Sequence, residues 1–402
     1  MGENLNDSLV PSTVSCDSLT TDEIEFYTKV SWWWEGLLQS LVGTIGFLSN
    51  SLAIPILCSK DMNSIFNRLL VFLAVFDNLY IICSVLEGIR KHSAFSQWHE
   101  YAFGHVLYQF HNFVLCCSIY ITLTLALERY RAVWRPVEYH NRCKGANPWR
   151  RVANYVIPVF IFSVIFNIPK FFEVEFVVKQ DVDQNTNQTI YQTLASPTDL
   201  RLNDTYVIFY VNAARLLVQG IIPFVLLSIL NYRIYWVIKR RREMINRPAF
   251  ESQNVRSSSA AQKKANETQQ AVVLFIIVLL FFICHTPRFV LNVHEFLTLE
   301  SLRISIKQDC NGVSLWAFIW ASVSHFLMTL NSSVNFFIYC FMSTTFRQTL
   351  FGYFKKCCCF VPKCMEEPKS SMIALDYMDG FEPEVNPVGN TSIELTIHSQ
   401  TE

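Results

Sequence analysis

The sequence predicts an all-α membrane protein, a seven-transmembrane helix bundle, and two observations support that prediction. Of its 402 residues, 51% are hydrophobic and only 16% are charged, whereas a soluble domain usually carries about 25% charged residues. The charges also lie in clusters, between apolar runs long enough to cross about 30 Å of hydrocarbon. The formal net charge is zero, so overall charge gives no reason to expect a nucleic-acid partner.

Seven apolar runs give the predicted spans in chain order. They are Trp33–Cys58, Leu69–Ile89, Ala102–Leu127, Val152–Phe172, Tyr206–Ile238, Ala271–Leu291 and Leu315–Met342. Each reaches the roughly 20 residues that a spanning helix needs, although polar residues interrupt the fourth and the seventh. We therefore expect a bundle over residues 33–342, an extracellular tail over 1–32 and a cytoplasmic tail over 357–402.

The distribution of Lys and Arg predicts how the bundle lies in the membrane. Basic residues collect in two connections, which hold Arg129, Arg131, Arg135, Arg142, Lys144, Arg150 and Arg151 after the third span and Lys239, Arg240, Arg241, Arg242, Arg247, Arg256, Lys263 and Lys264 after the fifth. Connections rich in Lys and Arg stay on the cytoplasmic side. We expect a multi-pass protein of the plasma membrane with its N-terminus outside.

Glycosylation sequons and two cysteines fall on the predicted outer face. The triplets that begin at Asn6, Asn187 and Asn203 match the acceptor pattern for N-glycosylation. Cys16 and Cys310 lie outside as well, and they either form a disulfide or are two separate thiols, because sequence does not fix connectivity.

A cluster of cysteines follows the last span. Cys357, Cys358 and Cys359 stand beside lysines just past the membrane. No histidine or further cysteine pair completes a zinc site. Juxtamembrane cysteines in a basic context favour palmitoylation.

Glu128, Arg129 and Tyr130 stand side by side at the predicted cytoplasmic end of the third span. Taking an ion pair out of water costs several kcal/mol of desolvation, so charges at such a position usually have a function. Glu128 and Arg129 can hold each other in one state and separate in another. The pattern predicts a signalling switch, whereas no nucleophile–base pair or metal cluster indicates an enzyme.

Four further polar residues lie within predicted spans. They are Asp77 in the second, Ser118 in the third, and Asn331 and Asn335 in the seventh. An isolated Asp in the membrane needs a proton or a cation, and oxygen ligands suit a small hard cation such as Na⁺. Two alternatives stay open, an allosteric sodium ion or a polar core without an ion. No other cofactor is indicated.

Six short motifs in order carry a resemblance to the class A (rhodopsin-like) G-protein-coupled receptors. They are Gly46-Phe-Leu-Ser-Asn50, Leu73-Ala-Val-Phe-Asp77, Glu128-Arg129-Tyr130, Cys284-His-Thr-Pro287, Asn335-Phe-Phe-Ile-Tyr339 and Phe346-Arg347. The resemblance covers nearly all of residues 33–356. It implies that a short amphipathic eighth helix follows the seventh span over residues 343–356.

The resemblance also implies roles for single residues. Arg129 would pair with Glu128 at rest and engage a heterotrimeric G protein when active, while Glu267 on the sixth span could also hold Arg129. Tyr339 would swing inward on activation, and Pro287 would kink the sixth helix. The expected partners are an extracellular ligand, the G protein, arrestin, receptor kinases and membrane lipids.

Some residues depart from the family's pattern. His285 replaces the usual Trp beneath the ligand, and Phe336 replaces the usual Pro, which weakens the expected kink in the seventh span. Gly104 stands where the family has a disulfide-forming Cys. The family's sodium pocket nevertheless matches Asp77 and its polar neighbours, which favours the sodium alternative.

The same comparison narrows the ligand. The position of the retinal-binding Lys is Thr329, and the position of the amine-binding Asp is His111, so neither retinal nor an amine is expected. Polar side chains near the outer ends of the helices are the predicted ligand contacts, namely Glu87, His111, Glu173, Arg288, Asn292 and Glu295.

Two segments, 284–295 and 167–173, resemble invertebrate FMRFamide-type neuropeptide receptors. The resemblance implies a peptide with an amidated Arg-Phe end, whose Arg would pair with Glu87, Glu173 or Glu295. The alternatives are a class A receptor for a different peptide or small ligand, and a membrane transporter, although the sequence shows no inverted repeat.

Overall fold

The computed structural model describes residues 19–92, 106–143, 147–182, 189–245, 258–298 and 314–358. Residues 1–354 form one compact unit and residues 355–402 a second. The first unit is the helix bundle that the sequence predicts, and it holds every residue of the site described below.

The first helix runs over Thr21–Leu57, so it begins well before the predicted start at Trp33. A capping box explains the early start. The Thr20 hydroxyl accepts a hydrogen bond from the Glu23 backbone N–H at 3.3 Å, and the Glu23 carboxylate accepts one from the Thr20 backbone N–H at 2.8 Å. The predicted tail over residues 1–32 therefore ends in helix.

The remaining spans follow the predicted order with small shifts at their ends. Their helices are Ile65–His92, Tyr108–Trp134, Pro148–Phe172, Asp204–Arg240 and Gln269–Leu297, the last of which belongs to a longer helix, Ser258–Leu297. Within the described residues, six helices, including the first, are long and apolar enough to cross a membrane. The seventh span is divided into Leu315–Ser333 and Asn335–Met342, and the eighth helix is Thr344–Cys358.

The seventh helix is interrupted at Val334 although Phe336 takes the place of the family's proline. Val334 has φ −88° and ψ −9°, which lies at the edge of the helical region. The next residue, Asn335, donates a hydrogen bond from its side chain to Asp77 on the second helix. An interruption is thus present at the expected place without proline.

In the part of the chain that the structure describes, a pair of β-strands between the fourth and fifth helices departs from the all-α prediction. Strands β1 (Val174–Val182) and β2 (Thr189–Pro197) pair antiparallel, with Val174 opposite Pro197. Valines are enriched in β1, and β-branched residues favour strands. We call this end of the bundle the hairpin end and the opposite end, which carries Glu128 and Arg129, the switch end.

The first and seventh helices approach closely at Gly46. A Cβ atom added at Gly46 would collide with the side chain of Ser333 and lie 2.8 Å from its Cα atom. Ser333 is buried at the end of the first part of the seventh helix. Because the obstacle includes backbone, the helices would have to move apart to accept any side chain.

We expect Gly46→Ala to destabilise the protein by about 1–3 kcal/mol, the usual range for overpacking. Thermal melting of the purified protein in detergent measures it. Gly352→Ala is the matched control, because no atom lies within 4 Å of its added Cβ, and alanine is the better helix former by about 1 kcal/mol. A Gly46→Ala protein that melts at or above the parent temperature would contradict this packing.

Candidate functional site

A buried ion pair forms the centre of the switch end. The Glu128 side chain is 0% exposed and that of Arg129 is 5% exposed. Arg129 donates two parallel hydrogen bonds to the Glu128 carboxylate, from Nε at 2.6 Å and from Nη2 at 2.8 Å. The guanidinium also lies over the Phe66 ring, 4.5 Å from its centroid. Two-pronged geometry of this kind is the strongest form of an Arg–carboxylate contact.

Two further hydrogen bonds tie this pair to neighbouring elements. Tyr139, on the short helix Pro136–Cys143, donates its hydroxyl to Glu128. On the other side, Arg129 Nη1 donates to the side-chain oxygen of Gln270 on the sixth helix. The pair therefore joins the third helix both to the connection that follows it and to the sixth helix.

Among the described side chains, the sixth-helix partner of Arg129 is Gln270, and the predicted contact with Glu267 stays a prediction. Glu267 belongs to the same helix, but its side chain lies outside the described residues. Of the other predicted switch residues, Tyr130 packs its ring against Trp134 at 5.7 Å. Tyr339 is 2% exposed, and its hydroxyl has no hydrogen-bond partner within the described chain.

A polar cluster surrounds Asp77 midway along the bundle. Its Oδ1 accepts hydrogen bonds from the hydroxyls of Ser118 at 2.7 Å and Ser332 at 3.1 Å. Its Oδ2 accepts one from the Asn335 amide at 2.7 Å. The structure thus brings together three of the four residues predicted for the sodium site, while Ser332 takes the place expected for its neighbour Asn331.

The donor set of this cluster fits a small hard cation. Asp77 supplies the negative charge, and the hydroxyls of Ser118 and Ser332 can turn their lone pairs towards an ion because each rotates freely. Asn50 adds a buried amide oxygen that no described residue satisfies, while its amide nitrogen donates to the Ser332 carbonyl at 2.9 Å. Oxygen ligands of this kind are those that hard cations prefer.

A cavity of about 280 Å³ opens between the helices towards the hairpin end. The predicted ligand contacts Glu87, His111, Arg288 and Asn292 all line it. Further lining side chains come from the first, fifth and seventh helices, and they include Glu35, Gln39, Arg215, Gln219, His325 and Met328. The cavity is therefore polar on several sides, with charges of both signs.

The two other predicted ligand contacts, Glu173 and Glu295, are not among the residues that line this cavity. Glu173 is buried near the hairpin and accepts a hydrogen bond from the Tyr206 hydroxyl at 2.8 Å, with Lys170 3.8 Å away. Glu295 accepts a hydrogen bond from the guanidinium of Arg215 at 2.6 Å. Other residues of the chain thus engage both carboxylates.

Glu35 is one of several cavity residues that the sequence did not predict. Its side chain is 3% exposed, and it accepts hydrogen bonds from Lys91 Nζ at 2.8 Å and from the Ser31 hydroxyl at 3.2 Å. His325 Nδ1 lies 2.7 Å from its other oxygen. The signal was present, because Glu35 is an acid that directly follows three tryptophans at the start of an apolar run.

Local backbone geometry helps to aim some of these side chains. Glu35 lies in a π-helical stretch, Trp32–Leu38, and Gln219 in another, Leu216–Ile221. A π-helical turn holds more residues than an α-helical one, so it rotates the following side chains around the axis, and it is frequent at functional sites. Sequence periodicity does not reveal such turns.

The charges of the cavity are nearly all paired. Arg90 bonds both oxygens of Glu87 at 2.8 Å. Lys91 bonds Glu35. Within the described residues, no carboxylate lies within ion-pair distance of Arg288. Asn292, one helical turn further on, has a buried side-chain oxygen without a described hydrogen-bond partner. The amide nitrogen of Gln219 is also buried without a described partner. This side of the cavity offers positive charge and open hydrogen-bonding positions to a ligand.

His285, which replaces the family's Trp, lines the bottom of the same cavity. It is 6% exposed, and its ring stacks on Phe281 with centroids 4.1 Å apart. Two residues further along the sixth helix, the Pro287 carbonyl accepts a hydrogen bond from the indole N–H of Trp320 on the seventh helix at 3.2 Å. An aromatic contact below the ligand position is thus retained with a different side chain.

Several predicted modification sites fall outside the described residues. These are Asn6, Asn187, Cys16, Cys310 and Cys359, together with the side chains of Cys357 and Cys358. Asn203 is described. It is exposed, and its side-chain oxygen caps the next helix by accepting a hydrogen bond from the Tyr206 backbone N–H at 3.1 Å. The side-chain amide nitrogen takes no part in this bond.

Comparison with known proteins agrees with this geometry. The chain is 29% identical over 82% of its length to the FMRFamide receptor of Drosophila melanogaster, of which it spans about half (55%). It is 26% identical over 78% of its length to the FMRFamide peptide receptor frpr-18 of Caenorhabditis elegans, covering 68% of that protein. The sequence pattern of the seven-transmembrane receptors of the rhodopsin family matches residues 49–339. The chain therefore belongs to the rhodopsin family of seven-transmembrane receptors.

Proposed function

We propose that this protein is a plasma-membrane receptor for an extracellular peptide with an amidated Arg-Phe end, and that it activates a heterotrimeric G protein. The hairpin end faces outwards with the N-terminus, and the switch end faces the cytoplasm. Membership of the rhodopsin family supports the coupling. The names of the Drosophila and Caenorhabditis relatives support the class of peptide.

The division of charge within the cavity is the observation that carries the ligand proposal. Glu35 and Glu87 place two carboxylates on the side of the first and second helices. On the sixth helix, Arg288 adds a guanidinium that has no carboxylate at ion-pair distance among the described residues, and Asn292 adds a side-chain oxygen without a described hydrogen-bond partner. An amidated Arg-Phe end has the matching groups, because it carries one cation and a terminal carboxamide that both donates and accepts.

This division also sets the direction in which the peptide lies. A ligand guanidinium next to Arg288 would bring two like charges together, which costs several kcal/mol at an interface. The peptide's arginine therefore faces Glu87 and Glu35, and its carboxamide faces Arg288 and Asn292. A carboxylate offers about four acceptor positions, so Glu87 can bind a ligand cation while it keeps Arg90.

A dose-response screen tests the proposed function. Cells that express the receptor with a panel of Gα subtypes are exposed to peptides ending in an amidated Arg-Phe, and to the same peptides as free acids. We expect G-protein activation by amidated peptides and a clear loss of potency for the acids. Activation by a different peptide class alone would identify the alternative class A ligand. Silence in every Gα background, at confirmed surface expression, would overturn the proposal.

We propose further that Asp77, Ser118, Ser332 and Asn335 bind an allosteric sodium ion. The positive charge of the ion would balance the negative charge of the buried Asp77 carboxylate. An ion that binds only the folded protein raises its stability by about 1.4 kcal/mol at roughly ten times its Kd. The melting temperature should therefore rise with NaCl but not with N-methylglucamine chloride at equal ionic strength.

Asp77→Asn keeps the shape of this side chain and removes its charge, so the sodium-dependent rise should vanish. The control variant Glu25→Gln removes an exposed carboxylate of the first helix and should leave the rise intact. Equal sodium effects in the parent and the Asp77→Asn protein would leave the cluster as a polar core without an ion.

The remaining expectations from the sequence stand as proposals. Arrestin and receptor kinases would act at the switch end, as they do on receptors of this type. Glycans on Asn203 and its fellow sequons, palmitoyl groups on the juxtamembrane cysteines, and a disulfide between Cys16 and Cys310 each have a mass-spectrometric readout on the intact protein.

A further inference from the structure

We propose that Glu173 and Lys170 form the centre of a non-covalent clamp that fixes the base of the hairpin to the third and fifth helices. The hairpin clamp consists of four side chains, those of Tyr108, Lys170, Glu173 and Tyr206. Tyr108 also lines the cavity, so Glu173 and Lys170 act on the cavity through it and are positioning residues. The effect on peptide binding rests on the function proposed above, whereas the effect on the hairpin does not.

Glu173 is the residue at which four segments of the chain meet, since it joins the fourth helix to strand β1. Its Oε1 accepts a hydrogen bond from the hydroxyl of Tyr206, near the start of the fifth helix, at 2.8 Å. Its Oε2 accepts one from the hydroxyl of Tyr108, the first residue of the third helix, at 3.4 Å. Arg201 Nε, from the segment that follows the hairpin, lies 4.0 Å from the same oxygen. A single carboxylate thus contacts both helices and the exit of the hairpin.

Lys170 completes the clamp from the end of the fourth helix. Its Nζ donates a hydrogen bond to the Tyr108 hydroxyl at 3.3 Å and lies 3.8 Å from Oε1 of Glu173. The side chains of Lys170 and Glu173 are 3% and 2% exposed. Removing either charge would leave the other buried without its partner, which is strongly destabilising. The local structure therefore depends on the presence of both charges or of neither.

The backbone closes the hairpin at the same place. Thr198, directly after β2, donates its backbone N–H to the Glu173 carbonyl at 3.1 Å. Its hydroxyl donates to the Phe172 carbonyl at 2.6 Å. The entrance and the exit of the hairpin are thus joined beside the clamp, and a movement of Glu173 would reach both strands.

No disulfide ties the hairpin to the third helix in this chain. Gly104 replaces the cysteine that the family has on the third-helix side, and no cysteine occurs from Phe171 to Tyr206. The clamp lies at the same junction, between the start of the third helix and the segment that leads to the fifth. The contacts of Glu173 therefore take over the role of that covalent bond.

Tyr108 carries the effect of the clamp to the cavity. Its hydroxyl accepts a hydrogen bond from Lys170 and donates one to Glu173, which fixes the orientation of its ring. Asn112, one turn further along and also in the lining, donates its side-chain amide to the Tyr108 carbonyl at 2.7 Å. A cavity wall that is ordered in advance lowers the entropic cost of binding a ligand.

Hydrogen–deuterium exchange of the full-length receptor in nanodiscs, without ligand, tests the clamp. Glu173→Gln keeps the shape of the side chain and removes its charge. We expect backbone exchange over residues 174–182 and 196–206 to rise roughly tenfold or more, because a hydrogen bond to a charged group changes a local opening equilibrium by about that factor. Exchange at the switch end should not change, because the clamp lies at the opposite end of the bundle.

Three further variants separate the charge of Glu173 from other effects of the substitution. Glu175→Gln makes the same change at an exposed position of β1 and should leave exchange at the parent level. Lys170→Met/Glu173→Gln removes both charges, so it should return most of the protection that Glu173→Gln loses. If Glu173→Gln does not fold, Tyr206→Phe replaces it, since it removes one hydrogen bond to Glu173 and no charge. A smaller rise in exchange over the same residues is then expected.

The peptide assay tests the link between the clamp and the cavity. The potency of an amidated Arg-Phe peptide should fall in Glu173→Gln at matched surface expression and return in part in the double variant. Loosening of the hairpin without any change of potency would overturn this link. The exchange experiment needs neither peptide nor G protein, so failure of the proposed function and failure of the clamp are told apart.

Three results would overturn the clamp itself. The first is unchanged exchange of the hairpin residues in a folded Glu173→Gln receptor. The second is an equal rise over all helices, which would indicate a general loss of stability. The third is equal exchange in Glu173→Gln and in the double variant, which would show that the charge pair does not hold the hairpin.

Discussion

Replacing Glu128 with leucine should destabilise the receptor by about 3–5 kcal/mol, the usual cost of leaving one charge of a buried pair without its partner. Arg129 is 4% exposed and directs both prongs of its guanidinium at Glu128. Gln270 satisfies one further N–H but brings no charge. Chemical or thermal unfolding of the purified protein measures the loss.

The double variant Glu128→Leu/Arg129→Leu should recover most of that stability, because it removes both charges and buries apolar groups of similar size. Recovery would identify the pair as a costly arrangement kept for its switching role. If the single and double variants were equally unstable, local packing and not the stranded charge would explain the effect.

The second large effect concerns the peptide. Glu87→Gln should weaken an amidated Arg-Phe peptide by roughly 30-fold or more, since removing one partner of a buried hydrogen-bonded charge pair costs about 2–5 kcal/mol. Potency in the G-protein assay measures it, at matched surface expression. Glu25→Gln should leave potency unchanged, because Glu25 is exposed on the first helix and pairs with Lys29.

A ligand substitution shows whether Glu87 itself meets the peptide's arginine. Citrulline keeps the shape of arginine without its charge, so it should weaken binding to the parent receptor. In the Glu87→Gln receptor the same peptide substitution should reduce affinity little further, because the carboxylate that pairs with the arginine is already absent. Additive losses would place the arginine elsewhere, and Glu35→Gln, tested in the same way, would then show whether the neighbouring carboxylate receives it.

The sequence predicted the helices and the Asp77 cluster well, for a physical reason. A polar residue stands out in an apolar run, and the need to satisfy Asp77 within the membrane limits where its partners can lie. Ser332 was missed because adjacent residues of a helix point about 100° apart, and a shift of one position exchanges it with Asn331. The interrupted seventh helix makes that rotation hard to foresee.

The cavity was harder to predict than the core. Glu173 resembles a ligand contact in sequence, but Tyr206 and Lys170 come from segments around it and engage its carboxylate. Glu35 lies close to the predicted membrane edge, because the sequence predicts that the first span starts at Trp33. The helix in fact begins at Thr21 and turns Glu35 inwards, towards Lys91 and His325.

The hairpin and the lock on the sixth helix depend on contacts between distant segments. Strand β1 pairs with β2 across residues 183–188, whose sequence contains none of the Asn-Gly, Asp-Gly or Gly-Gly pairs that indicate a hairpin, so the sequence did not reveal the pairing. Gln270 and Glu267 lie on the same helix one turn apart. Which side chains of the sixth helix reach Arg129 depends on how that helix is rotated against the third, and only packing decides this rotation.

The contact between Arg129 and the sixth helix should restrain signalling. Basal nucleotide exchange by a purified heterotrimeric G protein, with the receptor in nanodiscs and without any ligand, measures this restraint. Gln270→Ala removes a hydrogen bond to a charged group worth about 1 kcal/mol or more, so we expect roughly a fivefold rise in basal exchange. Gln348→Ala, at an exposed glutamine of the eighth helix, should change nothing. Unchanged or lower basal exchange in a folded Gln270→Ala receptor would show that this contact does not restrain signalling.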